Sequence, residues 1–170
     1  MNKKLDNYIT TKYPKIFINR YSGIKNSTLS FGYEHGDGWF WLIDKLCASI
    51  QSYIDLNNQY RTEDQKISQV IADQVKEKFG VLNFYYHGGD ETIHGMVRLA
   101  ESMSENICEF CGSTEYVGHT IGWISTICKE CYDNSDGRIS QRTWIENKNI
   151  PTEFIKELRK IKLDKLKNAI

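Results

Sequence analysis

The chain has 170 residues, 22 basic against 22 acidic, with 40% of positions apolar and 12% aromatic. That balance suits one globular domain, or one domain with a small appendage, and excludes a disordered chain. No run of eighteen apolar residues occurs, so no membrane-spanning helix is expected.

The zero net charge is unevenly spread. Residues 1–26 carry six Lys/Arg against one Asp, residues 142–170 carry eight basic against four acidic, and residues 27–141 carry eight against seventeen. Nucleic-acid binding draws most of its affinity from phosphate neutralisation, so contacts of that kind would fall to the termini. The charged start, Met1 to Asn7, has no apolar stretch behind it, and no signal peptide is expected. Five cysteines, four of them in metal spacing, fit a reducing cytoplasm.

In chain order, residues 8–21 read as extended, with Pro14 disfavouring helix before it and Ile16-Phe17-Ile18 prone to strand. Residues 28–33 alternate as a half-buried strand and run into the glycine loop Glu34 to Gly38. Asp37 or Gly38 caps a helix over 39–56, whose apolar stripe is Ile43, Leu46, Cys47, Ile50 and Ile54. Residues 57–65 are polar loop; residues 66–80 are ambiguous, leaning to strand from Val70. Val81 to Tyr86 is a strand, and Asp90 caps a helix over 91–106. Pro151-Thr152 opens a last amphipathic helix rich in lysine.

Cys108-Glu109-Phe110-Cys111, sixteen residues, then Cys128-Lys129-Glu130-Cys131 is the spacing of two zinc knuckles. Cys108, Cys111, Cys128 and Cys131 would supply a tetrahedral shell at about 2.3 Å per sulfur. Two disulfides or a redox dithiol are the other readings of this spacing. Residues 112–127 have the length of a β-hairpin, with Ile121, Trp123 and Ile127 on one face of its returning strand. A closed four-sulfur shell leaves no open coordination position, which makes the expected Zn2+ structural. His119 is a weaker candidate ligand.

No phosphate loop, His-Glu-x-x-His or Gly-x-Ser-x-Gly motif occurs. His35 and Asp37 are the one acid/base pair the sequence suggests. Otherwise the chain reads as a binding protein. Aromatic rings that stack on a base, beside cations that meet phosphate, are the general means of nucleotide recognition. The segments 31–41, 74–80 and 83–87 offer that combination. The candidate ligand residues are His35, Trp39, Trp41, Lys76, Lys78, Phe79, Asn83, Tyr85 and Arg98, against the plainer reading of buried aromatics and a solvated lysine face. The C-terminal lysines likewise read as a nucleic-acid or partner face, or as the wet side of a helix.

The blocks Gly36-Asp37-Gly38-Trp39, Leu42 to Cys47, Gln74 to Gly80, Met96-Val97, Ala100 to Ser104, Cys108-Glu109-x-Cys111-Gly112, and Trp123 before Cys128-x-x-Cys131 resemble a widespread family of small phage and prophage proteins. That family is zinc-ribbon-like and carries no settled biochemical role. The resemblance covers about residues 13–131. Where the family pattern reads Leu-Arg-Phe-Tyr, this chain has Leu82-Asn83-Phe84-Tyr85, so any ligand contact made by that arginine is missing here. Phage accessory proteins of this size capture nucleotide immune signals, bind nucleic acid or block host proteins.

The expected fold is α+β: a small β-sheet packed by two or three helices, a four-cysteine zinc hairpin of ribbon or treble-clef type, and a C-terminal helix. The boundaries are 1–106 for the α+β core, 107–135 for the hairpin and 136–170 for a helical extension. The expected function is non-enzymatic sequestration of a nucleotide-derived defence signal in the host cytoplasm, with homo-oligomerisation possible. Nucleic-acid binding or inhibition of a host protein are the alternatives.

Overall fold

The first helix, α1 (Lys3–Lys12), begins where the Asn2 side chain accepts hydrogen bonds from the Lys4 and Leu5 amides, a cap worth about 1 kcal/mol. The computed structural model describes residues 1–21, 29, 32–137 and 139–147. Residues 8–21, expected to be extended, are helical to Lys12 and then turn, through bonds such as Ile16 N to Tyr13 O and Arg20 N to Phe17 O. Pro14 forbids helix only at its own neighbour, Tyr13, which leaves the helical region with ψ 60°. The helix therefore fits in front of it.

A single 3-10 turn (Asp37–Trp39) leads into α2 (Phe40–Asn58), two residues longer than expected at its C-terminal end. Lys12 Nζ and the Tyr13 hydroxyl both reach Asp44 Oδ1, at 2.7 and 2.9 Å, and tie α1 to α2. Asp44 is buried, so its charge depends on these partners. Strands β1 (Ile71–Lys78) and β2 (Val81–His87) form an antiparallel pair. Helix α3 (Glu91–Ser104), capped by Asp90, covers one edge of it. The Leu82 and Phe84 amides, which would otherwise be open for pairing, donate to Ser104 Oγ and Glu101 Oε1 of α3, both at 2.9 Å.

On the other edge, Glu34 N donates to Val75 O, Glu77 N to Glu34 O, and Ala72 N to Ile16 O. Glu34 makes a single bridge to Lys76. Of the strand expected over 28–33, the described residues 29, 32 and 33 are not in a strand, and residues 28, 30 and 31 lie outside the described ones, as do the residues of the helix expected after Pro151. Trp39, Ile43 and Ile50 of the α2 region, Ile93 and Val97 of α3, and Val75 and Leu82 of the sheet share one core.

The second layer is smaller. Strands β3 (Val117–Thr120), β4 (Thr126–Cys128) and β5 (Trp144–Glu146) form an antiparallel sheet in the order β4-β3-β5, with α4 (Lys129–Asp133) following β4. Among the described residues its buried cluster holds Cys108, Val117, Ile127 and Cys128, with Cys131, Tyr132, Ile139 and Trp144 packed against it. Residues 139–147 thus join the hairpin, beyond the boundary expected at 135. Ile121 and Trp123 do not share an inner face with Ile127: the pairing β4 begins only at Thr126, and the loop before it leaves both side chains in solvent.

Candidate metal centre and ligand-binding face

The sulfurs of Cys108, Cys111, Cys128 and Cys131 all lie within 4.8 Å of one another. A tetrahedral ion bound at about 2.3 Å per sulfur sets its ligands about 3.8 Å apart, and Cys111 Sγ and Cys128 Sγ stand 3.6 Å apart. All four thiols are free, and 3.6 Å is far beyond a disulfide bond. Local backbone builds both knuckles. Gly112 N donates to Cys108 O, Cys108 N to Ser113 O, and Cys131 N reaches Cys128 Sγ at 3.4 Å at the start of α4. Burial raises the Cys108 and Cys131 thiols, and for Cys131 the neighbouring sulfurs raise it further. A cation held between them reverses that penalty. His119 stands apart, its Nδ1 on Asn147 Oδ1 at 3.1 Å.

The first knuckle sits on the glycine loop. Gly38 N donates to Glu109 O at 2.7 Å, and Gly36 N to Glu109 Oε1 at 3.0 Å. A Cβ on Gly38 would stand 2.1 Å from Cys108 O and 2.4 Å from Gly112 N, which is inside any allowed contact. Trp39 is fully buried and donates its Nε1 to Ile107 O, one residue before the first cysteine. These residues therefore seat the first cysteine knuckle, where the sequence reading had placed part of a ligand pocket.

Trp39 is corrected accordingly: enclosed on all sides, it has no face to offer a ligand. His35 is also buried, between Tyr33 and Trp39, with Nδ1 on Gly36 O and Nε2 without a partner. Burial lowers its pKa to about 4. Asp37 is bound instead to Asn2, at 2.6 Å to both the amide and the side-chain nitrogen. His35 and Asp37 thus face different partners.

Trp41 is exposed, with Lys45 Nζ 5.8 Å from its ring centroid, at the rim of a cavity of about 630 Å³. That cavity is lined mainly by Leu5, Phe40, Leu42, Met103 and Ile107, and among the described residues Lys45 is the one cation lining it. Arg98 is exposed on α3 and borders neither this cavity nor the sheet face described next.

The remaining five candidates come together. Alternation along β1 and β2 puts Lys76, Lys78, Asn83 and Tyr85 on the outer face, with Val75, Leu82 and Phe84 on the inner one. Lys76 pairs with Asn83 in the ladder. Lys76 Nζ lies 5.5 Å from the Tyr85 ring, and Lys78 Nζ lies 5.6 Å from the Phe79 ring. Phe79 occupies the turn between the strands. There Phe79 and Trp123, with Glu77, Lys78, Gly122 and Ile124, line a recess of about 260 Å³. Trp123 was missed because its spacing from Ile121 and Ile127 looked like an inward-facing strand.

Comparison with family models, with curated proteins and with solved structures finds no match in any of the three.

Proposed function

We propose that this chain is a non-enzymatic binding protein that captures a nucleotide-type ligand on the outer face of β1 and β2, with Zn2+ in the four-cysteine site holding the adjoining hairpin. The observation that carries this reading is the convergence of Lys76, Lys78, Phe79, Asn83 and Tyr85 on one exposed surface, with two cation–ring pairs. Lysines meet phosphate, rings stack on bases, and Asn83 offers an amide to a base edge. The zinc assignment rests on four sulfurs with no oxygen or nitrogen donor among them, the set that selects this ion in closed structural sites. With its coordination shell filled by protein, the ion braces the fold and activates no water.

The resemblance to small phage proteins suggests the ligand's biological form, a nucleotide messenger of bacterial antiviral defence held out of circulation. Native mass spectrometry of the protein recovered from phage-challenged cells carrying such defences tests both parts. The expected result is one zinc per chain plus a nucleotide-sized mass released intact on denaturation. Zinc without any retained nucleotide, together with unchanged binding in Lys76→Ala and Tyr85→Ala, would overturn the capture reading. Release of a cleaved product would identify an enzyme.

A further inference from the structure

We infer that the tips of the two hairpins form the base-binding subsite of this ligand face, with Phe79 and Trp123 as its stacking rings and Lys78 as the partner of the adjacent phosphate. This rests on the nucleotide reading above and adds a residue, Trp123, from the metal hairpin.

Phe79 is the first sign. Lys78 and Val81 are paired, so Phe79 and Gly80 form a two-residue turn, with φ of 55° and 79°. Positive φ at both central positions calls for Asn, Asp or Gly at the first of them. A phenylalanine there is strained, and its ring is 72% exposed. Tyr116, with φ of 48°, is the other non-glycine residue of this kind among the described residues. Backbone strain of this sort clusters at functional sites, and at Phe79 it coincides with a lysine and a recess.

Trp123 is the second. Its carbonyl accepts from Thr120 Oγ1 at 2.8 Å and Arg142 Nη1 at 3.2 Å, so its backbone is fixed while its ring is 71% exposed. The spacing of the two tips is fixed as well. Thr126 Oγ1 donates to Gly80 O at 2.6 Å, and a Cβ on Gly80 would stand only 2.9 Å from Ile124 Cγ2.

The recess is smaller than the about 300–1,000 Å³ of sites that enclose a whole drug-sized ligand. It suits one planar ring system, with the rest of the ligand outside. Charge sets what lies outside. Lys78 lines the recess and Lys76 continues along the outer face, while Glu77, which also lines the recess, has its Oε1 engaged by Gly80 N at 2.5 Å. The occupant is therefore an aromatic base carrying an anionic group, and a nucleoside monophosphate is its simplest form.

The test is calorimetric titration of the metal-loaded full chain with AMP and GMP, and with adenosine and guanosine as phosphate-free controls. Trp123→Ala and Phe79→Ala should each weaken nucleotide binding by about tenfold or more, while Trp123→Phe, which keeps a ring, should retain most of it. Lys78→Ala should abolish the preference for nucleotide over nucleoside. Trp41→Ala, exposed on the rim of the other cavity and not among the residues lining the recess, should bind as wild type. Phe79→Ala lies on the other hairpin, so the inference stays testable if a Trp123 variant loses its metal. Unchanged affinity in both alanine variants, with loss in Lys76→Ala or Tyr85→Ala, would overturn the subsite and leave the sheet-face reading standing. No binding of any probe by the wild-type chain would overturn both.

Discussion

Gly38 and Glu109 are joined backbone to backbone, the Gly38 amide on the Glu109 carbonyl at 2.7 Å, with no room between the two segments for a side chain. The contact couples the α+β core to the first cysteine knuckle. Gly38→Ala should cost about 2–3 kcal/mol, because the atoms it meets are backbone and cannot swing aside. Thermal melts and metal content should fall together; a variant with wild-type melting and full metal would show that the knuckle docks some other way.

Phe79→Asn should separate stability from binding. Asparagine accepts the left-handed backbone that phenylalanine resists, and the relief is worth about 1 kcal/mol. The variant should unfold at higher temperature or denaturant concentration than wild type, yet bind nucleotide more weakly. Such an exchange of stability for function is common at strained sites. A variant that is less stable would mean the ring contributes packing that its exposure conceals.

Removing the metal should unfold the second layer first. Two of the four residues in its buried cluster, Cys108 and Cys128, are proposed ligands, and so small a core has little else to hold it. Chelation, or Cys128→Ser, should abolish the environment of Trp144, whose Nε1 donates to Ile127 O, while the helical signal of α2 and α3 persists. Cys47→Ala should leave metal content unchanged, since Cys47 is buried in the other core. Full retention of the hairpin's near-ultraviolet signal without metal would contradict this picture.

His35 predicts a pH dependence with a definite sign. Its pKa falls from 6.5 to about 4 on folding because burial disfavours the charged ring. The unfolded chain therefore binds the proton more readily, and stability rises with pH across that window. The contribution is complete above pH 6.5 and is lost as the pH falls towards 4, by at most about 3 kcal/mol. The difference in unfolding free energy between wild type and His35→Phe, measured from pH 4 to 7, should follow this slope. A flat difference would mean the buried imidazole titrates normally.

Helices α2 and α3 and the strand β2 were legible because each carries a periodic apolar stripe and local punctuation, such as Asp90 before α3 and Gly80 before β2. The site was legible only in part. Lys76 and Tyr85 could be placed on one face, since a strand's alternation is a local property. Trp39 and Trp41 look equivalent in sequence, but Trp39 is buried and Trp41 is 67% exposed. What separates them is the cysteine knuckle that closes over Trp39 from about seventy residues further along the chain.

The four-cysteine spacing by itself determined that residues 108–131 fold back on one point, because ligand chemistry and a short loop leave few other outcomes. Tertiary structure decided the rest of the site. It turned Gly36-Asp37-Gly38 from a ligand loop into a seat for backbone, and it brought Trp123 to the side of Phe79. A missing Cβ or an exposed ring has no meaning until the atoms across from it are known, and those come from segments distant in the chain.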